Sequence, residues 1–282
     1  MRIGPYTVFP IETGNFALDG GAMFGVVPKN LWSKTNPADE QNRIDMTMRC
    51  LLLVHDNGRK ILIDNGSGHK YNEKFAAIYR LDHSELTLEK SLKALGFKPE
   101  DVTDMVLTHL HFDHAGASTK LDAAGNSVPA FPNAKYYVQR KQFEWSQNAS
   151  EKDRASYLKP DYMPLIDQGI LELVDDADKL FPNIRFFIAS GHSPSQQLPI
   201  ISDGQSTLFF CGDLIPMTPH VAIPYVMAYD IQPLVTIEEK KKILEQAIVE
   251  KWFLFFEHDP KTACATVRKD PKGFTIDQVI YF

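Results

Sequence analysis

Thr108-His109-Leu110-His111-Phe112-Asp113-His114-Ala115-Gly116 is the stretch on which the rest of the chain turns. Three imidazoles and a carboxylate fall within six positions, directly after Met105-Val106-Leu107, an apolar run with the pattern of a buried strand. Imidazole nitrogen and carboxylate oxygen suit zinc and its first-row neighbours, and a tight turn at a strand end lets such ligands converge on one point. The stretch predicts a metal site, against the blander alternative of a polar loop whose histidines are incidental.

Before the motif, residues 84–95 place Leu86, Leu88, Leu92 and Leu95 on or near one helical face, with Ser84 as a candidate N-cap and Gly96 as the stop. A helix followed by the strand at Met105 is the returning half of a crossover unit, which puts the motif at the carboxyl end of a strand, where α/β sheets place ligands. Further back, residues 44–54 and 60–64 read as strands joined by the turn Asp56-Asn57-Gly58. Asp64 ends the second of these and either supports a metal ligand or caps a turn. The segment 18–29 sets three glycines among bulky apolar residues, a pattern that fits a loop around a ligand pocket and a plain hairpin equally.

After the motif, a helix start is expected past Gly116, then a strand over 134–139 and a helix over 140–147. Residues 148–169 are polar and proline-containing, and predict an irregular surface connection. Strands are expected over 171–174, 184–189, 198–202, 207–211, 252–256, 263–267 and 274–280. A capping box at Thr236-Ile237-Glu238-Glu239 predicts a helix to about Lys251 with Ile243, Leu244, Ala247 and Ile248 inward. No internal repeat or interdomain linker is visible, so the expectation is one domain over 1–282.

A hydrophobic share of 44% and a charged share of 23% exclude a disordered chain. The formal charge of -6 argues against nucleic acid as a partner and fits a small-molecule substrate. Cys50, Cys211 and Cys264 lie far apart without CxxC spacing, so they predict buried apolar residues rather than a disulfide framework or a thiolate site. No stretch reads as a signal peptide or a membrane span, which makes the cytoplasm the expected compartment.

Three further stretches share the grammar of the first. Phe186-Phe187-Ile188-Ala189-Ser190 leads to Gly191-His192, Leu208-Phe209-Phe210-Cys211 to Gly212-Asp213, and Phe253-Leu254-Phe255-Phe256 to Glu257-His258. Any one of them alone reads as a satisfied core histidine or a turn aspartate. Together, if the four strand ends share one edge, they supply five histidines and two aspartates, enough for two metals. His55, His69 and His83 show no partner pattern and are expected at the surface or in turns.

This set, His109-x-His111-x-Asp113-His114 followed by His192, Asp213 and His258, resembles the metallo-β-lactamase superfamily. The resemblance implies an α/β (α+β) fold, an αββα sandwich of two facing mixed sheets with helices outside. It also implies two divalent ions, with zinc first and manganese, iron or cobalt as alternatives. By position, His109, His111 and His192 would hold one ion, Asp113, His114 and His258 the other, and Asp213 would bridge them. A carboxylate at Asp213, where many true β-lactamases carry Cys, resembles the lactonase, glyoxalase II and phosphotriesterase branches. Flavodiiron oxygen reductases carry Glu at the place of His111. The run after His258 is too short for the helical domain of glyoxalase II, and that between Asp213 and His258 too short for the inserted domain of the nuclease branch.

Gly20-Gly21-Ala22-Met23-Phe24-Gly25-Val26-Val27-Pro28, Gly212-Asp213-Leu214-Ile215-Pro216 and Glu257-His258-Asp259-Pro260 are similar to quorum-quenching lactonases that open N-acyl-homoserine lactones. Pro216 stands where some of these carry a substrate-polarising Tyr, with His220, Tyr225 and Tyr229 as candidate substitutes. Met23, Phe24, Val26 and Phe112 are candidates for an apolar wall, or for ordinary core. The resemblance implies attack on the lactone carbonyl by a hydroxide bridging two ions roughly 3.5 Å apart, with Asp113 carrying the proton to the departing alkoxide. Rival expectations are a phosphotriesterase or arylester hydrolase of the same superfamily, and a metal-binding protein without turnover. A homodimer is expected by resemblance alone.

Overall fold

A computed structural model describes residues 1–282, which form two compact units. The first comprises Met1–Phe16 and Met48–Ala177, the second Ala17–Thr47 and Asp178–Phe282. The chain begins with β1 (Arg2–Ile3), β2 (Tyr6–Asp19), α1 (Gly20–Phe24), α2 (Lys29–Trp32), β3 (Arg43–His55) and β4 (Lys60–Ile63). It continues through α3 (Glu73–Tyr79), α4 (Leu88–Ala94), β5 (Asp104–Val106), α5 (Phe112–Ala115), the ribbon β6 (Thr119–Leu121) and β7 (Ser127–Pro129), β8 (Lys135–Gln139), α6 (Arg140–Gln147), α7 (Lys159–Asp167) and β9 (Leu171–Val174).

The strand order β1-β2-β3-β4-β5-β8-β9 builds a seven-stranded mixed sheet in which β4, β5, β8 and β9 run parallel. Parallel neighbours need crossovers, and here α3–α4, α5 and α6–α7 supply them. Strand β5 is buried throughout; its first residue, Asp104, pairs with Arg59, and the rest continues into Leu107 as an apolar run. Its neighbours Leu62 and Tyr136 pack with Leu92 of α4 and with Tyr162 and Leu165 of α7 in one core. Truncating such a side chain, as in Leu92→Ala, costs about 2–5 kcal/mol. Because Ile63 pairs with Val106, the carboxyl ends of β4 and β5 lie side by side, and Asp64 emerges beside Thr108.

The second unit carries β10 (Ile184–Ala189), β11 (Gln196–Ser202), β12 (Thr207–Phe210), α8 (Pro233–Glu250), β13 (Phe253–Phe255), β14 (Cys264–Asp270) and β15 (Gly273–Ile280). They form a six-stranded sheet in sequence order, antiparallel except for the β12–β13 pair. Two antiparallel steps bring β10 back into the direction of β12, and the α8 crossover gives β13 the same direction. The carboxyl ends of all three therefore share one edge, and from that edge come His192, Asp213 and His258. Ile243, Leu244 and Ala247 of α8 pack with Phe209, Leu254 and Trp252 in this unit's own core.

Mixed sheets flanked by helices agree with the α/β fold class. All three cysteines are free and buried, as their spacing predicts. No helix is long and apolar enough to cross a membrane.

Several elements differ from expectation. Helix α7 lies inside the stretch read as irregular, because Pro160 and Pro164 mask it. Pro164 has no N–H to give the Pro160 carbonyl one turn back, and that carbonyl accepts instead from Thr119 Oγ1 at 2.8 Å. Helix α4 starts three residues late, capped by Thr87 rather than Ser84, while Gly96 at φ +80° ends the turn as expected. Helix α8 opens with Pro233 in its first turn, so the capping-box residue Thr236 lies inside the helix. The glycine-rich 20–24 segment is a short helix capped by Asp19, and the helix start at Gly116 is a single 3-10 turn, Gly116–Ser118, that leads into β6.

Candidate metal centre

In the first unit, four of the expected ligands arise from the turn after β5, and Asp64 organises them. The Asp64 carboxylate accepts from the Thr108 N–H at 2.7 Å through Oδ1 and from the Thr108 hydroxyl at 2.7 Å through Oδ2. With its proton committed there, Thr108 Oγ1 accepts from His109 Nδ1 at 3.0 Å, and His114 Nδ1 lies 3.1 Å from Asp64 Oδ2. Both rings are thereby held in the tautomer that leaves Nε2 as a lone-pair donor. His109 Nε2 faces His111 Nδ1 at 3.0 Å, close to the separation of two nitrogens on one tetrahedral ion, roughly 3.3 Å. His114 Nε2 lies 3.7 Å from Asp113 Oδ2. Every one of these side chains is buried. Asp64 itself takes a left-handed backbone conformation (φ 55°), which lets it turn back under the loop.

The far end of the turn is tied down by a buried ion pair. Lys70 donates to Gly116 O and Thr119 O and lies 2.9 Å from Asp161 Oδ1, while the Tyr71 hydroxyl donates to Asp161 Oδ2 at 2.7 Å. Gly116 has no room for a side chain, since a Cβ there would meet Ser67 O and Tyr71 OH. Phe112 is buried against Tyr71, Phe75 and Tyr79.

In the second unit, His192 Nε2 lies 3.1 Å from Asp213 Oδ2 and His258 Nε2 lies 3.0 Å from Asp213 Oδ1. One carboxylate thus offers a separate oxygen to each of two imidazoles. The opposite ring nitrogens are again engaged: His192 Nδ1 is 2.9 Å from Asp230 Oδ1, and His258 Nδ1 donates to Thr47 O at 2.9 Å. The loop bearing His192 is held by α8, whose Glu239 carboxylate accepts from Ser190 N at 2.7 Å and Gly191 N at 3.0 Å. Burial raises the Glu239 pKa despite these two donors.

The residues after Asp213 form a supported loop. Lys240 is buried and donates to the carbonyls of Ala222, Ile223 and Tyr225, and burial lowers its pKa to about 7. His220 is buried with Nε2 donating to Met23 O at 2.8 Å and its ring stacked on Phe24. Burial lowers its pKa to about 3, so it stands neutral. Among the expected pocket residues, Met23, Phe24 and His220 are buried, Tyr225 is partly exposed and Tyr229 is 37% exposed, whereas Val26 projects at 88% exposure.

The donor chemistry fits divalent ions in each unit. Imidazole nitrogens and carboxylate oxygens of one unit come within 4.8 Å of one another, as in the pairs His109–His111, Asp113–His114 and His192–Asp213. The partners of His109, His114, His192 and His258 are those of metal-binding histidines, a carboxylate, hydroxyl or carbonyl fixing the ring from behind. Two of these partners escaped sequence reasoning. Asp230 and the Thr47 carbonyl lie far along the chain from the rings they orient, and nothing in their local sequence marks them.

The pattern of the Metallo-beta-lactamase superfamily matches residues 49–258. The chain belongs to this superfamily. It is a hydrolase of the metallo-β-lactamase fold whose His and Asp donors take divalent metal ions. Among its superfamily relatives, the N-acyl homoserine lactonase of Bacillus cereus is 28% identical over 227 residues, covering 77% of this chain and 83% of that one. The N-acyl homoserine lactonase AttM of Agrobacterium fabrum is 37% identical over 71 residues, 25% of this chain and 23% of that one. A probable metal-dependent hydrolase from Staphylococcus aureus superposes with a TM-score of 0.88 at 30% identity, covering 99% of this chain and 98% of that one. The fold is also that of AidC, a dizinc quorum-quenching lactonase, with a TM-score of 0.80 at 22% identity over 100% and 97% of the two chains.

Proposed function

We propose that this superfamily member opens N-acyl-homoserine lactones, using two divalent ions, zinc in the first instance. His109, His111 and His192 would hold one ion, Asp113, His114 and His258 the second, and Asp213 both. The observation that carries the two-ion reading is the Asp213 carboxylate, which directs one oxygen to each of His192 and His258 as a bridging ligand must. When bound, such ions polarise an ester carbonyl and lower the pKa of water to near neutrality. Asp113 then carries a proton to the ring oxygen that leaves. Asp64 and Asp230 hold the imidazoles in register throughout. The lactone is supported by the curated relatives, all N-acyl homoserine lactonases among those compared above. In the substrate pocket of this reading, Tyr225 and Tyr229 present polar groups, with Met23, Phe24 and His220 as its buried members and Phe24 edge-on to Tyr225.

A pH-stat assay of the fully metallated protein across N-acyl-homoserine lactones, phosphotriesters and aryl esters tests the substrate. Lactone turnover exceeding the other two classes is expected. Turnover of phosphotriesters or aryl esters without lactone opening would overturn the reading.

A further inference from the structure

From Ile215 to Gln232 the second unit has one 3-10 turn, Thr218–Val221, and is otherwise irregular, so the course of this segment depends on a few anchors. In its middle, Ala228 N donates to Ala22 O at 2.7 Å, and Val226 O presses on the bare backbone of Gly25, where a Cβ would come within 2.3 Å of that oxygen. At its far end, Ile231 N donates to His192 O at 3.2 Å and Gln232 N to Gly191 O at 2.8 Å. Its near half is held by one side chain of α8. Lys240 Nζ donates to Ala222 O at 3.0 Å, Ile223 O at 3.4 Å and Tyr225 O at 2.7 Å, and the Lys240 side chain is fully buried. The Tyr225 ring next to these carbonyls stands edge-on to Phe24.

We propose that Lys240 is a positioning residue for substrate: by gathering the carbonyls of Ala222, Ile223 and Tyr225 it sets where Tyr225 and the run to Tyr229 stand, and it acts on substrate binding without acting on the metal donors. The proposal rests on the reading of Tyr225 and Tyr229 as members of the substrate pocket. Three carbonyls that accept from one nitrogen take all three N–H bonds of an ammonium, and a buried ammonium without such acceptors would be costly. Burial lowers the Lys240 pKa to about 7, and the Asp230 carboxylate opposes that fall. Two adjacent residues of α8 thus hold two different segments. Glu239 accepts from Ser190 N and Gly191 N and fixes the loop of the metal donor His192, whereas Lys240 fixes the segment of the candidate substrate residues. Without the Lys240 amine, the anchors of the His192 loop at Glu239, Ile231 and Gln232 remain. Substrate affinity and metal affinity therefore separate.

Steady-state kinetics of the metal-loaded Lys240→Met protein, a change of similar length that removes every N–H, test this directly. The substrate is whichever of the lactones, phosphotriesters and aryl esters the wild type turns over. KM should rise about fivefold or more, with kcat within about twofold of wild type, the pattern of an interaction that serves binding alone. Zinc affinity, from competition with a chromophoric chelator, should match wild type. Amide hydrogen exchange should quicken over residues 222–229 and stay unchanged in the core of β12 and β13. Lys240→Gln, uncharged and shorter in reach, should raise KM in the same way and carries the test if Lys240→Met does not fold. Ile243→Val, a packing change in the same helix, should keep the wild-type KM. A wild-type KM in both Lys240 variants, or a loss of kcat or zinc affinity in place of the rise in KM, would overturn the proposal. Failure of the lactone reading shows in the wild type alone, and failure of this proposal shows in the comparison of variants, so the two are distinct.

Discussion

His192 Nδ1 lies 2.9 Å from Asp230 Oδ1, and both side chains are buried. The bond fixes which nitrogen of the ring faces Asp213 and which way it points. Carboxylates behind metal-bound histidines typically contribute 10–100-fold to metal affinity. Asp230→Asn should therefore weaken zinc binding by about 10–100-fold while leaving the fold intact, measured by competition with a chromophoric chelator. Unchanged affinity would mean that His192 is oriented by its loop alone.

Asp64 does more, since its two oxygens receive Thr108 N, Thr108 Oγ1 and His114 Nδ1. Asp64→Ala leaves the buried Thr108 N–H without this acceptor, at a cost of about 1–3 kcal/mol. The melting temperature of the metal-free protein should fall by several degrees, and metal binding should weaken with it. A variant that melts with wild type would show that Asp64 acts on the ligands without supporting the fold.

The buried His220 gives a pH signature. Burial lowers its folded pKa to about 3, below the ordinary 6.5. Between these values the unfolded chain takes up a proton that the folded chain refuses, so stability is complete above pH 6.5 and falls as pH drops toward 3. His220→Gln removes this titration, and its stability should decline less steeply than wild type across that window in metal-free thermal melts. Parallel curves would place the acid sensitivity elsewhere.

Each unit has its own apolar core, one around Met105 and Tyr136, the other around Phe209 and Trp252. Removing metal with a chelator should abolish hydrolysis yet leave the far-ultraviolet circular dichroism of the folded chain. A chelated protein that loses its secondary structure would instead mark the metal as a folding element.

Much of the fold and of the candidate His and Asp cluster is legible in sequence for one physical reason. Buried parallel strands must be apolar throughout, so Met105-Val106-Leu107 and Leu208-Phe209-Phe210 announce themselves, and a His or Asp directly after them stands out. The orienting partners are not legible, because any carboxylate or carbonyl can serve and only packing brings Asp230 to His192 or Thr47 to His258. Helix α7 is hidden by its prolines and α1 by its glycines, where tertiary burial of Tyr162 or Phe24 outweighs local propensity. The pairing of His69 with His83 joins two loops and leaves no periodic trace.

We propose that Asp213 bridges two ions. Elemental analysis of the purified protein at saturating zinc, compared with Asp213→Ala, tests this most directly. Two ions per chain are expected, with Asp213→Ala retaining fewer than two. One ion per chain in the parent, or two retained without Asp213, would contradict the account.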